Sequence, residues 1–182
     1  MRRSIGAGSL RSVPMLILRL SKCACVATVA LYASLVAFGN LSDYGSNLAF
    51  VQHVLAMDTI FPHSTITWRA ITSPLLQHIA YGLIIASETA TALLCWIDAA
   101  HMLRARRAGS AQFQRAKAWA IGGLTLGFLL WQVGFMSIGG EWFGMWMSNQ
   151  WNGSESAFRC FMLILGVLIF LSLRDEELVA PT

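Results

Sequence analysis

The chain has 182 residues, of which 56% are hydrophobic and only 12% are charged, and its mean hydropathy is +0.59. A soluble domain carries about twice that share of charged residues, so the composition excludes an ordinary water-soluble protein and indicates an integral membrane protein. The net charge of +4 and the pI of about 9.2 do not indicate nucleic-acid binding, because the arginines adjoin apolar runs instead of forming a basic strip between aromatic residues.

The first predicted elements are a short tail, residues 1–12, and a membrane helix over residues 13–39. A helix needs about 20 mostly apolar residues to cross the hydrocarbon core, and this segment supplies them. Arg19 and Lys22 lie near its start, where their long side chains are expected to reach the lipid headgroups. A cleaved signal peptide is the alternative, because basic residues precede the apolar run. The run is long for a signal peptide, however, and no clear cleavage site follows it.

The connection after this helix, residues 40–73, is long and apolar. The segment from Leu48 to Met57 is typical of a short amphipathic helix, and Phe61-Pro62 then forces a turn or an extended backbone. Residues 66–71 predict another short element. We interpret both elements as short interfacial helices on the extracytoplasmic side of the bundle.

The second membrane helix is predicted over residues 75–103, with Pro74 in its first turn. Glu88 lies about 13 residues into this helix, near the bilayer centre, where an ionised side chain costs about 2.5–3.5 kcal/mol. We expect Glu88 to be neutral or to form a polar contact between helices, and proton or ion handling is the alternative. Asp98 and His101 lie one turn apart near the cytoplasmic end and predict a solvated ion pair.

The third and fourth membrane helices are predicted over residues 118–138 and 157–173, with Gly139-Gly140 ending the third. Gly123 and Gly127 are four residues apart, a spacing of small residues that lets membrane helices approach closely. The four helices together predict an all-α integral membrane four-helix bundle.

The connection between the third and fourth helices reads GGEWFGMWMSNQWNGSES. Its aromatic residues favour a belt at the membrane–water boundary. The alternative is a pocket for a lipid, a quinone or a partner helix. The residues considered for such a contact are Glu88, Glu141, Trp142, Phe143, Trp146 and Trp151. We also expect this loop to pack against the segment of residues 47–62.

The predicted bundle is a single domain over residues 13–174, followed by a short tail over residues 175–182. Basic residues are distributed unequally between its two ends. The connection between the second and third helices holds Arg104, Arg106, Arg107, Arg115 and Lys117. The other end holds only Arg69 and Arg159. The positive-inside rule therefore predicts that both termini are cytoplasmic.

Two groups of residues suggest sites of other kinds. The cysteines, at positions 23, 25, 95 and 160, lie in apolar runs and have no metal or redox spacing, so we expect them to be packing residues. His53, Met57 and His78 are candidates for ligating haem b or a metal, since they could meet at one membrane depth. No cofactor is predicted from this pattern, and haem b or a quinone is kept as an alternative.

Several motifs resemble those of a known family. They are NLAFVQHVLAMDTIFP at residues 47–62, WRAI at 68–71, GGEWF at 139–143, MW at 145–146 and WNG at 151–153. The chain resembles the DUF2165 family of predicted small integral membrane proteins of bacteria. The resemblance implies a four-helix protein of the bacterial inner membrane, and it brings no activity and no catalytic residues.

Three functions are compatible with these patterns. The first is a non-catalytic accessory or structural subunit of a larger membrane complex, for example a respiratory one, with lipids and other integral membrane subunits as partners. The alternatives are a redox protein that binds haem, a metal or a quinone, and an oligomeric transporter or lipid-handling protein that uses Glu88. Enzyme chemistry is not indicated, because no nucleophile motif is present.

Overall fold

The computed structural model describes the backbone of residues 7–175 and the side chains of residues 14–175. Most of the predicted tails, residues 1–12 and 175–182, therefore lie outside the described residues. The described part contains helices and connections only. The α-helices are α1 (Ala7–Ser42), α2 (Tyr44–Ala56), α3 (Pro74–Ala105), α4 (Ser110–Arg115), α5 (Ala118–Leu129) and α6 (Ser154–Ser172). A π-helical segment, Leu130–Trp142, continues α5, and single 3₁₀ turns cover Thr67–Arg69 and Met145–Met147.

Four helical segments are long and apolar enough to cross a membrane. They are Pro14–Ser42, Pro74–Ala105, Ser110–Trp142 and Ser154–Ser172. In lipid, a helix satisfies its backbone groups internally, which explains why these apolar runs are helical. Helix α1 packs along α3, α3 along α5, α5 along α6, and α6 contacts α1 again. The prediction of an all-α membrane four-helix bundle is confirmed.

Small residues allow α3 and α5 to approach closely. A Cβ atom added to Gly123 would lie 2.9 Å from Cβ of Leu94 and 3.1 Å from Sγ of Cys95. A Cβ atom on Gly127 would lie 3.0 Å from Cγ2 of Thr91. The sequence prediction of a packing face at these two glycines is confirmed. All four cysteines are free thiols, and three of them are buried in the bundle.

The third spanning segment differs from its predicted end. Gly139-Gly140 does not end the helix, which continues to Trp142 in the π-helical segment. The backbone hydrogen bonds of the π-helix, which join residues five apart, continue through both glycines. The fourth helix begins at Ser154, three residues before the predicted start.

One end of the bundle, which we call the outer end, is covered by α2 and by two connections. The first connection joins α1 to α3 (residues 43–73), and the second joins the π-helical segment to α6 (residues 143–153). Leu48 and Val51 of α2 pack against Tyr81 and Ile85 of α3. A second cluster joins Val54 and Met57, at the end of α2, to Phe143 and Met145 of the second connection. The predicted packing of the two outer connections against each other is therefore confirmed.

At the opposite end, the side chains of Arg19 and Lys22 are buried in the bundle and do not extend outwards from its surface as predicted. Arg19 is 3% exposed and Lys22 is fully buried. Both side chains turn into the bundle because Asp175, which follows α6, provides a buried carboxylate there.

Candidate functional site

Glu88 lies near the middle of α3 and is 3% exposed. Its Oε2 accepts a hydrogen bond from Nδ2 of Asn40, at 2.7 Å, near the end of α1. Tyr81 holds the same asparagine by donating its hydroxyl hydrogen to the Asn40 carbonyl oxygen, at 2.9 Å. The second carboxyl oxygen, Oε1, is buried and has no hydrogen-bond partner among the described residues. Such a group is unusual in a native protein and calls for a specific explanation.

Glu88 lines a cavity of about 220 Å³ that adjoins a larger, apolar cavity of about 280 Å³. The residues shared by both cavities are Phe50, Val51, Ile84 and Phe135. The smaller cavity also contains the polar side chains of Asn40 and Asn47. Leu83 lines the larger cavity and is 64% exposed on the outside of the bundle, so that cavity is open towards the surrounding membrane. The pair has one polar end and one apolar, lipid-facing end, and we refer to it as the Glu88 cavity.

The π-helical segment forms one wall of the Glu88 cavity. Its backbone bonds reach five residues along the chain, as from the Phe143 amide nitrogen to the Ile138 oxygen at 3.0 Å, so residues four to five apart share a face. The lining residues from this wall are Leu130, Trp131, Gly134, Phe135, Ile138, Gly139 and Phe143. In an α-helix of 3.6 residues per turn, Glu141 would share the face of Leu130. The π-helical geometry puts Phe143 there instead.

The predicted aromatic residues therefore have separate roles. Phe143 is buried and closes the outer end of the cavity, whereas Trp142, Trp146 and Trp151 do not line it. Glu141 is exposed and lies outside the cavity lining, so the interpretation of Glu141 as a pocket residue does not fit the structure.

The tryptophans hold the two outer connections together. Trp142 packs edge to face on Trp68, and Trp146 packs in the same way on Phe61. Trp151 stacks on His53 with ring centroids 4.5 Å apart. These ring contacts form a cap beyond Phe143, and such a cluster of tryptophans is typical of the predicted boundary belt.

The three candidate haem or metal ligands have different neighbours. His53 lies 2.8 Å through Nδ1 from Oδ2 of Asp58, near the end of α2. His78 lies 2.8 Å through Nδ1 from the hydroxyl of Tyr44, at the start of α2. These contacts are about 13 Å apart along α2, so the structure does not bring the histidines together. Met57 is buried in the apolar cluster that also contains Val54, Phe143 and Met145. Among the described residues, no group of three His, Cys, Asp or Glu side chains is suited to binding a metal.

Sequence reasoning missed a buried charge cluster at the other end of the bundle. One carboxylate, Asp175, lies 3.3 Å from Nε of Arg19, 2.7 Å from Nζ of Lys22 and 3.6 Å from Nζ of Lys117. The carbonyl oxygen of Leu173 accepts further hydrogen bonds from both lysines. The sequence did contain one indication of this cluster. With four spans, the start of the first span, which carries Arg19 and Lys22, and the end of the last, which is followed by Asp175, lie at the same end of the bundle.

Asp98 also differs from its prediction as half of a solvated ion pair. Its side chain is fully buried, and Oδ2 accepts a hydrogen bond of 2.7 Å from the backbone amide of Ala120, in the first turn of α5. A carboxylate there satisfies a helix amide that has no partner within the helix. His101 is 46% exposed in its side chain, with Nδ1 3.4 Å from Oδ1 of Asp98.

The family described as predicted small integral membrane proteins, DUF2165, matches residues 18–174. The chain belongs to this family. The resemblance seen in the sequence is thus confirmed, and the motifs that carry it supply Phe50 and Phe143 to the Glu88 cavity and the tryptophans to its cap. No curated protein and no solved structure shows significant similarity to this DUF2165 chain.

Proposed function

We propose that this DUF2165 protein binds a small amphiphilic molecule of the membrane, such as a lipid or an isoprenoid quinone, in the Glu88 cavity. The observation that carries the proposal is Oε1 of Glu88, a buried polar atom without a partner among the described residues, in a cavity that adjoins a mainly apolar one. Small-molecule sites commonly combine apolar walls with a few fixed polar groups.

The chemistry of the cavity restricts the class of ligand. A neutral Glu88 carboxyl can donate a hydrogen bond to a ligand carbonyl, and it can accept one from a hydroxyl group. The apolar cavity beside it, which opens at Leu83, suits a hydrocarbon or isoprenoid chain that enters sideways from the membrane. The two cavities together fall within the roughly 300–1,000 Å³ of typical small-molecule pockets.

The test is to fill the cavity and measure what co-purifies. Gly134 lines the larger cavity, so Gly134→Leu would occupy it. Gly82→Leu is the matched control, because nothing lies within 4 Å of a Cβ at Gly82. We expect organic extracts of protein purified in mild detergent to contain a specific lipid or quinone in wild type and control, and at least tenfold less in Gly134→Leu. Equal amounts in all three would refute the proposal.

A second candidate function is that of an accessory subunit in a larger membrane complex. A shallow groove of about 430 Å³ lies between α1 and α3, and its floor contains Ala24, Ala27, Ala99 and Ala100. Small residues of this kind allow another membrane helix to approach closely. Purification from native membranes followed by mass spectrometry tests this function. Co-purification of a specific integral membrane protein supports it, and a solitary monomer contradicts it.

We also propose that both termini face the cytoplasm of a bacterium, with the protein in its inner membrane. The support is the positive-inside rule, together with the ion pairs that hold Asp175 beside Arg19 at the basic end of the bundle. Reporter fusions at the C-terminus test this orientation. Activity of a periplasmic reporter at that position would reverse it.

Haem or metal binding stays an alternative prediction. His53 and His78 would have to leave their present partners and approach each other, which the observed geometry does not favour. An absorbance spectrum of the purified protein tests it directly, because haem b gives a Soret band.

A further inference from the structure

A separate cavity of about 570 Å³ lies at the basic end of the bundle, between residues 15–19 of α1 and the α3–α4 connection. Its polar side contains Arg19, Arg106 and Arg107, and its apolar side contains Met15 and Leu16. It shares no lining residue with the Glu88 cavity. We refer to it as the arginine cavity.

Arg19 is a fixed positive charge in the arginine cavity. Its Nη1 donates hydrogen bonds to the carbonyl oxygens of Arg106, at 3.2 Å, and Ala108, at 2.6 Å. Its guanidinium carbon lies 4.7 Å from the centre of the Phe113 ring. These contacts position the guanidinium group before any ligand arrives, which reduces the entropy lost on binding.

Among the residues that the structure describes, the charged side chains lining this cavity are all basic. Asp175 is the carboxylate that pairs with Arg19 in the described part of the chain, and it also serves two lysines. Arg106 is half-buried and donates to the carbonyl oxygen of Leu103, and Arg107 is exposed. Such an arrangement attracts an anion, and arginine side chains suit phosphate because they can donate several hydrogen bonds in one plane.

The apolar edge distinguishes a membrane ligand from a soluble one. Met15 and Leu16 continue into Ile17 and Leu20 of α1, which are 59% and 39% exposed on the outside of the bundle. These exposed apolar side chains lie on a spanning helix and face hydrocarbon in a membrane. The cavity thus has a basic interior and an edge continuous with the lipid-facing surface.

We propose that the arginine cavity binds the phosphate headgroup of an anionic phospholipid, whose acyl chains lie along Ile17 and Leu20 of α1. Basic pockets between membrane helices at the cytoplasmic side provide this kind of recognition. The proposal is independent of the Glu88 cavity, and either can fail without the other.

The experiment measures binding of phosphatidylglycerol to the full chain in detergent by native mass spectrometry. The test variant is Arg106→Gln/Arg107→Gln, and the matched control is Arg104→Gln/Arg115→Gln. The control removes the same charge from residues that do not line the cavity. We expect binding about 30-fold weaker in the test variant, from about 1 kcal/mol per arginine, and less than threefold weaker in the control.

Two further arms identify the ligand. Phosphatidylcholine should bind weakly and equally to all three proteins, because its own ammonium group cancels the phosphate charge. Inorganic phosphate at millimolar concentration should not displace phosphatidylglycerol, because it lacks acyl chains. Equal losses in both double variants, or displacement by inorganic phosphate, would overturn the proposal. Circular dichroism spectra that match between the variants establish that folding is intact.

Discussion

The Glu88 cavity and the basic end of this bundle accommodate polar groups in different ways. Around Glu88, polar groups are joined by single hydrogen bonds, and the aromatic rings of Phe50, Trp131 and Phe135 line the same cavity. At the basic end, three cations surround the carboxylate of Asp175, with carbonyl oxygens completing their hydrogen bonds. The comparison indicates that the charge cluster at the basic end joins the helices, whereas the Glu88 cavity leaves a polar atom available to a ligand.

The largest expected effect comes from removing the shared carboxylate. Asp175→Ala leaves buried cations without their partner, so we expect a loss of about 3–5 kcal/mol in the free energy of unfolding. The control is Glu155→Ala, which breaks the exposed Glu155–Arg159 pair and should change stability by less than about 1 kcal/mol. Unfolding in mild detergent measures both. Equal effects would show that the buried cluster does not hold the basic end together.

A smaller effect on the free energy of unfolding is expected at the contact between α3 and α5. Gly123→Ala places a Cβ within 2.9 Å of the Leu94 side chain, so we expect destabilisation by about 1–3 kcal/mol. Its neighbour Gly122 has nothing within 4 Å of a Cβ, and Gly122→Ala should be tolerated. The same unfolding assay separates the two variants. A tolerated Gly123→Ala would mean that the helices are less closely packed than described.

The hydrogen bond between Asn40 and Glu88 in the Glu88 cavity can be tested by a double-mutant cycle. Asn40→Leu leaves both oxygens of Glu88 without a protein partner and should cost about 1–3 kcal/mol. Asn40→Leu/Glu88→Leu removes the unpaired acceptor and should recover most of that stability. If the double variant is as unstable as the sum of the single ones, the two side chains are not coupled.

The smallest effect concerns the cap. Gly144 has a φ of +66°, and a Cβ there would lie 3.4 Å from Ile66 and from Met147. Gly144→Ala should therefore cost about 1–2 kcal/mol, because side chains disfavour this backbone conformation. Gly45→Ala in α2, where nothing lies within 4 Å, is the control. Thermal unfolding midpoints distinguish the two, and equal midpoints would contradict a strained turn in the cap.

The spanning helices and the tryptophan cap could be predicted because each is indicated by a short continuous stretch of sequence. A run of about 20 apolar residues has few alternatives to a membrane helix, and clustered tryptophans mark the membrane boundary. Glu88 could be recognised for the same reason, since an acidic residue in such a run is costly. The four-helix bundle and Glu88 thus follow from composition along the chain.

The Glu88 cavity and the charge cluster could not be predicted because they depend on distant contacts. Glu141 and Phe143 exchange faces when the helix takes π-helical spacing, and no local pattern in GGEWF specifies that change. Arg19 resembles any basic residue at a membrane boundary until Asp175, 156 residues later, is placed beside it. The positive-inside rule already accounts for Arg19 and the other basic residues at this end, so their pattern provided no reason to expect that they are buried.

The most direct test of the central claim, that Glu88 is a ligand-binding group, is the amount of amphiphile bound per protein molecule. Mass spectrometry of organic extracts would compare wild type with Glu88→Leu and with Glu141→Leu, which changes an exposed glutamate outside the cavity. We predict at least a tenfold loss of the bound lipid or quinone in Glu88→Leu and no loss in Glu141→Leu. Unchanged occupancy in Glu88→Leu would contradict the account.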